Sequence, residues 1–173
     1  MKDNTVTIET ALKKIADIRF SKSFNVAVPF IDKHILDGIG DKVAIRVHGG
    51  GEVTYFTLHE HVNRAGNALI SLGLKRGDRV LMIIKDAPEF FYVFWGAIKA
   101  GIIPVPLNTL LRAKDYSFMI EDSAARGIIY SPEYSTEVEK ALSENDGDLD
   151  IILTTEGAGS TIAKYMSDAN ITL

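Results

Sequence analysis

The chain has 173 residues, enough for one ordinary domain with a buried core, and its 46% hydrophobic, 24% charged and 9% aromatic residues read as a folded soluble protein rather than a disordered one. A net charge of −4, with basic residues scattered and none clustered beyond Lys75-Arg76, gives a nucleic acid no electrostatic footprint. The lack of cysteine excludes disulfides, thiolate catalysis and Cys-ligated metal sites together, and fits a cytoplasmic setting.

Residues 1–23 read as a weakly patterned lead-in, with Ile8, Leu12, Ile15 and Arg19 on one thin helical face and no apolar run resembling a secretory leader. Residues 24–173 read as a single α/β unit without repeat or internal boundary. A helical segment is expected from Pro29, with Phe30, Ile31, His34 and Ile35 at helical spacing, closing near Gly38. Lys42–Val47 and Glu52–Tyr55 read as two strands of a hairpin around Gly49-Gly50-Gly51. Those glycines are read as a turn, because no helix follows and no lysine is placed to neutralise a phosphate.

The clearest helix follows. Thr57-Leu58-His59-Glu60 has capping-box spacing, Leu58, Val62, Ala65, Leu69 and Leu72 then recur on one face, and Gly73 ends the pattern. Arg79–Ile84 reads as a strand, Pro88–Ala100 as a helix apolar on nearly every side, and Ile102–Leu107 as a short strand. Pro104 and Pro106 cannot donate to a ladder, so this last strand is placed at an edge or in an irregular position. The run from Phe90 to Leu107 approaches the length of a membrane span, but Lys99, two glycines and two prolines divide it, so no membrane partner is expected. Helix 113–122, strand 127–130, helix 131–142 and strand 150–153 complete the alternation. Strands alternating with helices of this length predict a mainly parallel sheet with helices on both faces.

Few residues offer chemistry. Glu156-Gly157-Ala158-Gly159-Ser160-Thr161 lies between a strand and a helix, where backbone N–H groups could hold a phosphate. It lacks the Gly-Lys-Ser/Thr ending of a P-loop and the third glycine of a dinucleotide fingerprint, so a strand-to-helix connection is preferred. His34, His48, His59 and His61 include no pair spaced to share a metal on one helix face, and no metal site is expected. Phe90, Phe91, Tyr92, Phe94 and Trp95, on an all-round apolar helix, are expected in the core rather than as a ligand platform.

From Phe24 to about Leu142 the ordered landmarks resemble the start of the AMP-forming acyl- and aryl-CoA ligase family. They are Asp41-Lys42-Val43-Ala44; Val53-Thr54-Tyr55 leading to Asn63-Arg64; Gly73 before Arg76-Gly77-Asp78-Arg79-Val80; Pro88-Glu89-Phe90; Gly96 to Gly101; Pro104 to Asn108; and Glu121-Asp122-Ser123-Ala124. Singly they are weak, but in this order and spacing they are strong. Phe24-Asn25-Val26-Ala27 leading to Phe30-Ile31-Asp32, and Pro106 to Leu111 followed by Asp115-Tyr116, resemble the benzoate-CoA ligase branch.

The resemblance implies the first subdomain of the large N-terminal domain of an adenylate-forming enzyme, whose parent uses ATP, Mg²⁺ and CoA. A small aromatic acid would become an acyl-adenylate, from which CoA displaces AMP. The family's Ser/Thr/Gly-rich phosphate loop ending in Pro-Lys, and its later motifs, do not occur here. The expectation is therefore roughly the first third of a ligase, inactive alone, binding no cofactor by itself and with the rest of its own chain as partner. An apolar patch left for that partner would favour a homodimer. No catalytic residue is assigned. By the same resemblance, Arg112 and Lys114, just past Asn108, are the basic pair that could approach the phosphates of CoA, although a solvated face is the preferred reading. Two other readings stay open: a self-standing nucleotide-binding module using Gly157–Thr161, and a non-catalytic interaction domain.

Overall fold

The computed structural model describes residues 22–145, 149–157 and 159–173. The helical face proposed at Ile8, Leu12, Ile15 and Arg19 lies outside them. A π-helical turn at Val28–Asp32 runs into a short helix α1 (Lys33–Leu36), which closes at Gly38 with φ +73°. Strands β1 (Val43–Arg46) and β2 (Glu52–Thr54) pair antiparallel across the glycine turn, where Gly49, Gly50 and Gly51 all have positive φ.

Helix α2 spans Tyr55–Ser71, one turn earlier than the Thr57–Glu60 spacing predicts. Thr54, extended at the end of β2 (φ −77°, ψ 164°), is the N-cap, and its hydroxyl accepts the Thr57 N–H at 3.2 Å. Thr57 is thereby a helical residue, and Glu60 turns instead to Arg64. The expected stripe holds: Leu58, Val62, Ala65 and Leu69 are buried, while Leu72, at the C-cap, is half-buried.

The remaining elements alternate as β3 (Arg79–Ile83), α3 (Pro88–Lys99), β4 (Ile103–Pro106), α4 (Ala113–Ser123), β5 (Gly127–Tyr130), a 3₁₀ turn (Pro132–Tyr134) with α5 (Ser135–Ser143), β6 (Ile151–Thr154) and α6 (Ile162–Asp168). The four later strands form one parallel sheet in the order β4-β3-β5-β6. At the β4 edge, Ile103 and Leu107 donate to Asp78 and Met82 of the β3 side. Pro104 and Pro106 therefore turn their donorless nitrogens outward and blunt that edge.

Alternation along the strands divides the core in two. Val80, Met82, Ile84, Ile129, Ile151 and Leu153 face α2, α3 and α6. Leu81, Ile83, Ile128 and Tyr130 face α4 and α5, meeting Ala113, Tyr116, Ile120, Val138 and Ala141. On the first side, α2 and α3 approach through glycines: a Cβ built on Gly96 would stand 2.8 Å from the Gly66 nitrogen and the Val62 carbonyl oxygen.

Candidate functional site

From β3 the chain crosses to β4 on one side and then to β5 on the other, so the topological switch lies between β3 and β5. In open parallel sheets the carboxyl ends of the strands at such a point form a ready crevice. Here it is bounded by Lys85 after β3, Ser131 after β5 and Thr155 after β6. Ser131 is fully buried, its N–H donating to the Ile83 carbonyl at 3.0 Å and its hydroxyl oxygen accepting the Lys85 N–H at 3.1 Å. The Thr155 hydroxyl lies 3.5 Å from that of Ser131.

The Lys85 ammonium reaches across the crevice to Glu133 at 2.6 Å and Glu156 at 3.1 Å. Those two carboxylates, Glu133 first, hold the lysine above its usual range, and Lys85 in turn holds Glu133 below the usual carboxylate value. A cation paired twice in this way ties the ends of three strands together.

A cavity of about 300 Å³ at this mouth shares Glu89, Thr155 and Ala163 with a larger groove of about 570 Å³ between α2, α3 and α6. In the groove His61 stacks on Tyr92 at 4.5 Å, and its Nδ1 lies 2.9 Å from the Thr57 carbonyl. A carbonyl only accepts, so Nδ1 is the donor in this contact. Burial, then the nearby Glu89, pushes the Tyr92 phenol up.

Residues singled out from the sequence fall in scattered places. In the Glu156–Thr161 connection, Gly157 has φ +120°, Ser160 accepts the Thr154 N–H, and the Lys164 ammonium reaches back 3.2 Å to the Gly159 carbonyl. Thr161 caps α6, which has only seven residues. Arg112 precedes α4 with its guanidinium 3.4 Å from Glu137, which also accepts the Ala113 N–H at 2.8 Å, while Asp115 accepts the Arg112 N–H. Carboxylates thus hold the first turn of α4, and Lys114 is exposed beside them.

The histidines separate: His34 stacks on Tyr55 at 3.9 Å, His48 is exposed in the hairpin, and His59 lies 3.1 Å from Asp32. Among the described residues no group of three His, Asp or Glu side chains could hold a metal ion. Of the aromatic run, Tyr92 is buried, Phe90, Phe94 and Trp95 pack half-buried against the core, and Phe91 is exposed.

Sequence reasoning assigned no role to the most developed polar network. Lys99, only 10% exposed at its side chain, donates to Asp32 at 2.5 Å and to the Asn63 side-chain oxygen at 2.6 Å, while the Asn63 amide nitrogen reaches the Ile171 carbonyl at 2.7 Å. Burial, then Lys99, lowers the pKa of His59 beside them, with Asp32 opposing. The available signal was a lone lysine in an apolar helix and an Asn-Arg pair on the buried face of an amphipathic one.

The parallel sheet with helices on both faces and the small hairpin define an α/β architecture of the adenylate-forming kind. A family model of AMP-binding enzymes matches residues 34–169, and the chain belongs to that family. It is 35% identical over 150 residues to a 4-hydroxybenzoate–CoA/benzoate–CoA ligase of Rhodopseudomonas palustris, covering 87% of this chain and 27% of that one. With a benzoate–CoA ligase of Thauera aromatica it shares 41% identity over 117 residues, 67% of this chain and 22% of the other. Among solved structures, a benzoate CoA ligase from Burkholderia xenovorans superposes with a TM-score of 0.77 at 27% identity, covering 87% of this chain and 29% of that chain. An anthranilate CoA ligase in complex with anthranoyl-AMP gives 0.81 at 27% identity, covering 89% and 29%. The chain therefore spans about a quarter of the length of the curated relatives it matches.

Proposed function

We propose that this chain is the first subdomain of an AMP-forming ligase that activates a benzoate-like aromatic acid and passes it to CoA. What supports the acid class is the 35–41% identity to benzoate and hydroxybenzoate ligases together with the ordered landmarks from Phe24 to Leu142. In this reading ATP, Mg²⁺ and CoA serve the whole ligase. The described residues offer no metal cluster, and the Lys164 ammonium at the Gly157–Thr161 connection is engaged by the Gly159 carbonyl, so no step through Mg²⁺ or the phosphates is assigned to them. The segment is scaffold for the rest of its own chain, and alone it neither activates a carboxylate nor holds ATP usefully. Its exposed Phe30, Phe91 and Phe118 favour self-association of the isolated segment.

The test is pyrophosphate exchange by the full-length chain with benzoate, hydroxybenzoates, a fatty acid and carnitine. Exchange fastest with the aromatic acids is expected; preference for the fatty acid or carnitine removes the benzoate assignment. Calorimetry of this segment with Mg·ATP should give no heat of binding. Tight binding abolished by Gly159→Val would instead favour a self-standing nucleotide module. Arg112 and Lys114 are proposed to meet the CoA phosphates. Replacing both by alanine should raise KM for CoA and leave KM for the acid unchanged.

A further inference from the structure

Beyond the apolar packing of Met166 and Ala169, the last residues of the chain are held to α2 through their carbonyl groups. Arg64 Nη1 lies 3.2, 3.0 and 3.4 Å from the carbonyl oxygens of Met166, Ser167 and Ala169. The Asn67 amide donates to Asn170 at 2.9 Å and Thr172 at 2.8 Å, and the Asn63 amide donates to Ile171 at 2.7 Å. Three side chains on one stretch of helix thus reach every carbonyl from Ala169 to Thr172, Arg64 and Asn67 each serving more than one.

The donors are themselves fixed. Glu60 takes both Nε and Nη2 of Arg64, at 3.2 and 3.1 Å, which orients the guanidinium plane toward the end of α6. That end carries the unpaired carbonyls and negative dipole of a helix C-terminus, which a cation suits. Asn63 is 1% exposed, and Lys99 can only donate, so the Asn63 oxygen must face Lys99 and its NH₂ must face Ile171. Gly66 lies between Asn63 and Asn67 and leaves room for Leu173, since a Cβ there would collide with the Leu173 side chain. These hydrogen bonds read backbone, and they act beside the packing of Met166 and Ala169 against the core to set the path of residues 166–172.

We infer that Asn63, Arg64 and Asn67 are positioning residues of the ligase: they set the path of residues 166–172 and so aim the segment that follows Leu173. What that segment is rests on the ligase reading, in which the phosphate loop comes next; the existence of the rail does not.

Hydrogen exchange of this chain tests the rail directly. Arg64→Ala and Asn67→Ala should speed exchange of amides 164–173 roughly tenfold or more, as loss of charge-assisted and multiple hydrogen bonds predicts, and leave those of β3 and β5 unchanged. Asn63→Asp keeps the Lys99 contact but turns the donor to Ile171 into an acceptor, and should act in the same way. Asn67→Ala lies outside the buried network, so the test survives if Asn63→Asp does not fold. Unchanged exchange at 164–173 in Asn67→Ala overturns the rail. In the full-length ligase Asn67→Ala should raise KM for ATP with the thermal midpoint held. Faster local exchange with both KM and kcat unaltered overturns the positioning role, and a wild type without pyrophosphate exchange condemns the ligase reading while leaving the rail standing.

Discussion

The two faces of the sheet are built on different principles. Toward α4 and α5 the contacts are those of ordinary apolar packing, with Leu81, Ile83, Ile128 and Val138 fully buried. Its polar atoms sit at the rim, where the hydroxyls of Tyr116 and Tyr130 reach the Asn108 carbonyl and Glu139. Toward α2, α3 and α6 the helices cross at Gly66 and Gly96, and a partly buried ionic network runs by the crossing from Asp32 and His59 by way of Lys99 to the buried Asn63. One face is held by area, which tolerates small changes of shape. The other has an extensive apolar core of its own and adds close approach and satisfied polar groups, which tolerate less.

The largest expected effect belongs to the second face. Leu69, fully buried on α2, should cost about 2–5 kcal/mol when replaced by alanine, from lost transfer energy plus the cavity left behind. Denaturant midpoints measure it, and a midpoint equal to the parent's would mean the stripe does not face the sheet. Gly96→Ala adds only one methyl group, but that methyl meets backbone atoms of α2 that cannot rotate away. A loss of about 1–3 kcal/mol is expected, against roughly 0.5–1.5 for Ile128→Val on the other face. If Gly96→Ala proves the milder of the two, the contrast between the faces is wrong.

Titration sharpens the comparison further. His59 is kept neutral by burial and by Lys99, so its folded pKa lies below the ordinary 6.5. A depressed histidine value means that the unfolded chain takes up its proton first as the pH falls. The stability that neutral His59 contributes is thus complete above the ordinary value. It drains away from about pH 6.5 downward, through the lowered folded value. Between pH 7 and pH 5 the thermal midpoint of the wild type should fall further than that of His59→Gln, which cannot titrate. Parallel curves for the two proteins would remove His59 from the network's energetics.

Legibility from sequence divides along another line, between patterns written locally and contacts that the fold brings together. Periodicity marks area: the α2 stripe and the proline-blunted edge at Pro104 and Pro106 appear as expected, because helical spacing and the missing proline N–H are written locally. Contacts between distant residues are not. Nothing near Asn63 announces Ile171, more than a hundred positions away, and Lys99 reads as an interruption of an apolar run until Asp32 is brought against it. The start of α2 was misplaced for a local reason, since Thr54 and Thr57 both suit an N-cap and only the end of β2 decides between them. The family resemblance is legible because it rests on short landmarks read in order along the chain, from Asp41-Lys42 to Glu121-Asp122. The Lys85–Glu133–Glu156 crossing was not, because it joins the ends of three strands whose neighbours only the topology sets.

The smallest effect expected lies at the end of α4, on the face held by area. Ala124 has φ +48° and ψ +41°, the left-handed conformation in which a helix commonly ends, and it is the one non-glycine residue with positive φ among those described. A Cβ in that region crowds the following carbonyl and costs about 1–2 kcal/mol, a strain that glycine avoids. Glycine in turn loses more chain entropy on folding, roughly 0.5–1 kcal/mol relative to alanine. The two oppose each other, and the strain is the larger. Ala124 is exposed, so its methyl group contributes little burial to set against that relief. Ala124→Gly should therefore stabilise the chain by a few tenths to about 1 kcal/mol, seen as a higher urea midpoint with an unchanged slope. A lower midpoint would mean that the helix end relaxes out of the left-handed region in solution. The turn into β5 would then be held by Ser123 and Ala125, whose side-chain-to-backbone hydrogen bond of 3.3 Å spans the same corner.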